Sequence, residues 1–185
     1  MEAYGPAANH VYDFDRRCCK QRWRGMSMEI RNLELSDLQS IWEINEEGLP
    51  GTGKVSQEEI TSLLDYSSLA VGVYSHDQLL GFVICLPPRT DYGSLNYAWF
   101  NQRYEKFLYV DRIAVKSDYQ NQNIGSNLYD YVKKWSKGIE VPVTAEVNIH
   151  PPNPGSMRFH IRHGFEQVGV LQHGEKSVAL FVFQH

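Results

Sequence analysis

The sequence predicts a single mixed α/β domain, a central sheet with helices on both faces. Three observations carry this expectation. The 185 residues fit one domain. Hydrophobic residues make up 42% and charged residues 22%, the balance of a globular chain with a real core. The apolar pattern also switches between strand alternation and helical spacing in the order β-α-α-β-β-β-α-β-α-β-β.

Residues 1–27 stand apart. They mix Gly, Pro, Asn and Asp with a basic cluster (Arg16, Arg17, Lys20, Arg22, Arg24) and hold no period, so they read as a loosely ordered N-terminal extension. The compact domain is placed over residues 28–185. Ile30, Leu33 and Leu35 alternate with polar residues in a first strand. Ser36 is positioned to cap a helix burying Leu38, Ile41, Trp42 and Ile44. Glycines and Pro50 break it, and Ser56 with Glu59 has the spacing of a capping box that opens a second helix ending near Tyr66.

A hairpin follows, with strands over 69–74 and 79–86. Pro87 and Pro88 end it, and residues 89–105 read as a long loop rich in aromatics (Tyr92, Tyr97, Trp99, Phe100, Tyr104). Residues 107–115 read as a strand with Phe107, Tyr109, Asp111, Ile113 and Val115 on one face. A helix over 124–137 ends at Gly138, a strand covers 141–147, and a helix over 155–163 stops at Gly164. Strands over 165–168 and 177–183 close the chain.

Composition narrows the function. The net charge of −4 argues against nucleic-acid binding, which needs a basic surface, and is compatible with a cationic amine. Three cysteines, two of them adjacent (Cys18, Cys19, Cys85), make no disulfide framework, and no Cys/His cluster has zinc spacing. No apolar run reaches the ~18 residues of a membrane span. With no export signal in view, the expected setting is the cytoplasm, without a membrane partner.

Two constellations carry chemistry. Residues 115–126 run from a strand through a polar turn (Gln120, Asn121, Gln122, Asn123) into a helix opening at Ile124, Gly125 and Ser126. Such a turn aims unpaired backbone N–H groups and the positive helix end at one point, where a diphosphate fits. The spacing matches neither a P-loop nor a dinucleotide fingerprint. The second constellation is Asn153, Ser156, Phe159, His160, Gly164 and Phe165 on the last long helix and its stop.

The first segment resembles the acetyl-CoA loop Q/R-x-x-G-x-G/A of the GCN5-related N-acetyltransferases. Gln120, Ile124 and Gly125 fall in register, and Asn123 stands where glycine is usual. Asn tolerates the left-handed backbone that this position often needs. The second segment resembles the family's later helix, N-x-x-A/S-x-x-L/F-Y-x-x-x-G-F, with His160 at the position of the tyrosine. The resemblance covers residues 28–185.

The resemblance implies a mixed, mostly antiparallel sheet with a splayed strand pair at the cofactor cleft. It implies acetyl-CoA as cosubstrate and transfer of its acetyl group to a primary amine, in a small molecule or a peptide. Backbone groups of Ile113 and Val115 would hold the pantetheine arm, residues Gln120 to Ser126 the diphosphate, and Asn153 and Ser156 the pantetheine side. An N–H near Ile113 would polarise the thioester carbonyl. His160 is the expected acid for the leaving thiolate, and Asp111 the expected base, with Glu146 second. Tyr109, Glu146 and Glu46, together with Glu47 and the aromatic loop, are expected to meet the acceptor. A homodimer is compatible with the resemblance, and a non-catalytic CoA-binding module is the alternative reading.

Overall fold

The structure, a computed structural model, describes residues 21–23 and 26–185. Residues 1–20, and with them most of the expected extension, lie outside the described residues. The elements are β1 (Gln21–Trp23), β2 (Met26–Asn32), α1 (Leu38–Glu47), α2 (Gln57–Tyr66), β3 (Leu69–Ser75), β4 (Gln78–Leu86), α3 (Leu95–Asn101), β5 (Leu108–Val115), α4 (Ile124–Gly138), β6 (Val143–His150), α5 (Pro154–Arg162), β7 (Glu166–His173) and β8 (Lys176–Phe183).

Several boundaries follow from local chemistry. Ser56 and Glu59 form the expected capping box at the start of α2. Gly164 takes φ +80° as it stops α5, a conformation that suits glycine. Other expectations are corrected. The first strand ends at Asn32, and Leu35 is 63% exposed in a 3-10 turn whose box is made by Glu34 and Asp37, so Ser36 caps nothing. At the end of the expected extension, β1 pairs antiparallel with β2. The aromatic loop contains α3, capped by the Ser94 hydroxyl accepting from the N–H of Tyr97.

The strands form one eight-stranded sheet in the order β1-β2-β3-β4-β5-β6-β8-β7. Neighbours are antiparallel except β5 and β6, which run parallel and pair only at Leu108–Val143 and Tyr109–Thr144. Each keeps its other neighbour much further, to Gly81–Val115 and to His150–Ser177. Beyond Tyr109 the two strands therefore diverge and leave a gap in mid-sheet.

A bulge sits where they diverge. Ile84 faces Arg112 while Cys85 faces Val110, so Asp111 is the extra residue on β5. An extra residue inverts the alternation. Before it, Leu108 and Val110 join the core under α4 and α5, and Tyr109 joins the opposite core; after it, Ile113 and Val115 point to the first and Ala114 to the second. The expected single face through Phe107, Tyr109, Asp111, Ile113 and Val115 is thus broken at Asp111.

The sheet separates two apolar layers. One packs Ile124, Leu128, Tyr129 and Val132 of α4 against the inner strands. The other packs Ile41 and Ile44 of α1, Ile60 and Leu63 of α2, and Tyr97 and Phe100 of α3. Close approach of α4 to the sheet depends on Gly81, where an added Cβ would lie 2.9 Å from the Ala114 carbonyl oxygen and 3.0 Å from Ile124. Gly81→Ala is expected to lower stability by ~1–3 kcal/mol, as overpacking does. An unchanged thermal melt would show that β4 and β5 part there without cost.

Candidate active site

The gap between β5 and β6 opens into a cleft of about 470 Å³. Its walls include Asp111, Arg112 and Ile113 from β5, Glu146 from β6, and Ser156 and His160 from α5. Asn96 of α3, Lys54 and Lys176 complete the rim. The loop after α1 crosses to β6, where the Asn148 amide donates to the Pro50 carbonyl at 3.3 Å. That loop passes close to the start of α5: a Cβ on Gly51 would lie 2.8 Å from Asn153 Nδ2.

At the far end of β5 the chain turns through residues 116–123 into α4. Asn121 and Asn123 both take positive φ, and Asn123 sits at φ 62°, ψ 11° in the left-handed region as the residue before the helix. The first intrahelical bond runs from the N–H of Asn127 to the Asn123 carbonyl, so the N–H groups of Ile124, Gly125 and Ser126 project from the helix end. No side chain caps that end and no acid lies in its first turn. A Cβ on Gly125 would lie 3.1 Å from the Phe159 ring, so a side chain there requires that ring to give way by a few tenths of an ångström. The turn is anchored from outside: the Ser117 N–H donates to Glu47 Oε2 at 2.7 Å, which gives Glu47 a structural use in place of the expected acceptor role. Donors without a capping acid at a helix start fit the diphosphate of a CoA donor.

The acidic centre has two unlike carboxylates. Asp111 accepts from Arg112 Nε at 2.8 Å, with side-chain exposures of only 3% and 6%. Arg112 Nη1 also donates to Asn45 Oδ1 at 2.9 Å and to the Gly53 carbonyl at 3.4 Å, which ties β5 to α1 and to the following loop. Burial opposes the charge of Arg112, but Asp111 beside it raises the guanidinium pKa. The carboxylate expected to serve as the base is thus committed to a buried ion pair with Arg112.

Glu146 differs. Burial, aided by the nearby Asp111 charge, pushes its carboxyl up to about 7, against opposing effects from Tyr109, Asn96 and Arg112. Oε1 accepts from Asn96 Nδ2 at 3.2 Å, whereas Oε2 is buried and unpartnered. The Tyr109 hydroxyl lies near it without forming a hydrogen bond. Tyr109 is wholly buried among Tyr97 and Phe100 and lies beneath the cleft, not on its wall as expected of an acceptor contact. Glu46 is half-buried on α1, away from the cleft lining.

His160 is 3% exposed. Its Nδ1 faces the Ser156 carbonyl at 2.8 Å, which can only accept, so Nδ1 carries the proton. Its Nε2 then accepts from the Tyr129 hydroxyl at 2.6 Å. Burial holds the imidazole down to about 4, only partly offset by the Ser156 carbonyl. A neutral ring with both nitrogens engaged has no proton to give, which displaces His160 from the expected acid role. Asn153 caps α5 by accepting from the Ser156 N–H at 3.1 Å.

The geometry thus brings Asp111, Ile113, Glu146, Ser156 and His160 to one cleft, while Val115 ends β5 and residues 120–126 form the turn and helix start beyond it, outside the cleft lining. Sequence reading missed Arg112, whose partner lies in α1, and Asn96. The spacing of Ser94 before Leu95 was the available sign of the helix that carries Asn96.

This combination of a diverging parallel strand pair, an open helix start and a polar cleft between them defines an acyl-CoA-dependent transferase fold. The acetyltransferase (GNAT) family matches residues 28–165, and the chain belongs to that family, whose acetyl donor is acetyl-CoA. No curated protein matches the chain by sequence. Among solved structures, NAA60 of Arabidopsis thaliana in complex with a bisubstrate analogue is similar at TM-score 0.68 and 20% identity, over 84% of this chain and 97% of that one. Ard1 of Thermoplasma volcanium is similar at TM-score 0.69 and 16% identity, over 84% and 96%. The ribosomal-protein-S18-alanine N-acetyltransferase of Escherichia coli is similar at TM-score 0.65 and 17% identity, over 84% and 92%.

The raised Glu146 value has a sign. Folding favours its protonated form, so the stability it contributes is complete below the reference value of 4.5 and is lost as pH rises through about 7. At ~1.4 kcal/mol per unit the loss is on the order of 3 kcal/mol. Glu146→Gln, neutral at every pH, is expected to melt above the parent at pH 8 and near it at pH 4. Equal pH dependence of the two melts would contradict the assigned burial.

Proposed function

We propose that this protein moves an acetyl group from acetyl-CoA to a primary amine by direct transfer, with Glu146 as the general base. One observation carries the reading: on the wall of the cleft, the half-buried Glu146 holds a carboxyl poised near neutrality, with one buried oxygen unpartnered. A base whose pKa lies near the working pH combines availability with driving force.

In this mechanism the N–H groups of residues 121–126 hold the diphosphate, with Gln120 at the head of the turn. The edge of β5 past Tyr109, which has no β6 partner, offers backbone groups of Ile113 and Val115 to the pantetheine arm. Asn153 and Ser156 border the same arm. A backbone N–H of that edge stabilises the oxyanion. The attacking ammonium gives a proton to Glu146 Oε2, directly or through one water. The amine nitrogen then bonds to the acetyl carbon, the C–S bond breaks, and the thiolate takes up a proton from solvent or from the amide nitrogen formed. Arg112 and Asp111 fix the strand, and His160 fixes α5.

Titration calorimetry and a thiol-release assay over an amine panel (amino acids, polyamines, peptides with free N-termini) test this. Gly125→Asp sets a negative charge at the open start of α4 and crowds Phe159, and is expected to abolish acetyl-CoA binding while a thermal melt confirms folding. Glu146→Gln is expected to bind acetyl-CoA normally but to lose ~10²–10⁴-fold in kcat, and to lose the acidic limb of the pH profile. Binding by the Gly125→Asp variant as tight as the parent's would place the donor elsewhere. Full turnover by Glu146→Gln would remove the base from the mechanism.

A further inference from the structure

Helix α3 lies between two strands of the sheet, and nothing in the proposed chemistry above requires it. Its Asn96 nonetheless lines the cleft and reaches Glu146. The amide is fixed from two sides: Nδ2 donates to Glu146 Oε1 at 3.2 Å, and Oδ1 lies 2.8 Å from His173 Nε2 on β7. Because Nδ2 faces a carboxylate, Oδ1 must be the atom turned to His173, and His173 Nε2 must carry a proton and donate. The result is a chain from the rim of β7, through α3, to one oxygen of Glu146. That chain leaves the second oxygen, Oε2, buried without a partner.

We propose that Asn96 is a positioning residue that acts through Glu146: held by His173, it locks the carboxyl so that Oε2 is the oxygen presented to the acceptor amine. The inference rests on the proposed role of Glu146. A carboxylate pinned through one oxygen cannot rotate to share the other, so the free lone pair keeps one direction. The surroundings fit this division. Tyr109, Asp111 and Arg112 of β5 face Glu146 from below, His160 of α5 is neutral, and Lys54 and Lys176 stand at the rim. Among the described residues, Asn96 makes the one hydrogen bond to the carboxyl.

The hydrogen bond also favours the ionised carboxylate, so its removal moves the acidic limb of kcat to higher pH. Asn96→Ala is expected to lower kcat ~10-fold or more, with KM for acetyl-CoA unchanged, and to shift that limb up by about one pH unit. Asn96→Asp, which sets a second carboxylate against Glu146, is expected to shift it further. His173→Phe keeps Asn96 but frees its amide and is expected to give a smaller loss, restored by His173→Gln, which can donate again. Near-parental thermal melts confirm folding, and the His173 pair serves if Asn96 variants melt early. If Glu146→Gln is fully active, the reading of the base fails, whatever Asn96 does. If Glu146→Gln is inactive while Asn96→Ala and Asn96→Asp keep parental kcat and the parental acidic limb, the positioning role is overturned.

Discussion

The parting of β5 from β6 after Tyr109 is the constraint on which the rest of the structure depends. Two parallel strands that share only two residue pairs expose a row of backbone donors and acceptors in mid-sheet, where the fold would otherwise satisfy them. The bulge at Asp111 gives β5 the bend that lets it leave, and it does so without loosening the pairing to β4, which resumes at Arg112 and runs to Val115. Because β5 then ends against Gly81, the turn into α4 is delivered to the head of the gap, with its N–H groups open. Strand edge and helix start thus become one continuous surface for a long, phosphate-bearing donor.

That geometry is held by buried charge. Placing Asp111 and Arg112 out of water costs several kcal/mol per ion, repaid only when both are fully hydrogen-bonded. Arg112 meets this condition through Asp111, Asn45 and Gly53. The pair buys position: it fixes the bulge to α1 and to the loop that crosses to β6. One strand away, burial and the Asp111 charge together raise the proton affinity of Glu146 towards neutrality. The two carboxylates are chemically alike and differ in their partners: Asp111 has a cation and Glu146 has an amide.

How much of this was legible in the sequence follows the range of each interaction. The Ser56–Glu59 box, the tight hairpin around His76 and Asp77 and the stop at Gly164 are local, and the residues concerned announce them. The turn into α4 was legible through its spacing, and Asn123 adopts the left-handed conformation that its chemistry permits. The bulge was not legible, because regular alternation through Asp111 is indistinguishable on paper from alternation interrupted by pairing to β4. Nor was the setting of Glu146, a half-buried residue between Ala145 and Val147 whose carboxyl meets Asn96 of α3, a helix hidden in an aromatic stretch.

His160 shows how a departure from a family pattern can be absorbed. Tyrosine at this helical position would extend a hydroxyl, whereas imidazole is shorter and must satisfy two nitrogens in a buried place. Tyr129, on the opposing helix, supplies the hydroxyl at 2.6 Å, and the Ser156 carbonyl accepts the remaining proton. Around this pair, Phe159 stacks on Tyr129 at 5.3 Å, Ser126 Oγ meets His163 at 3.1 Å, and Lys133 donates to the His163 carbonyl at 3.0 Å. All of these join α4 to α5. The open start of α4 is thereby fixed against α5, whose Ser156 and His160 line the cleft. In the proposed mechanism the histidine acts through that spacing, and the proton passes to Glu146.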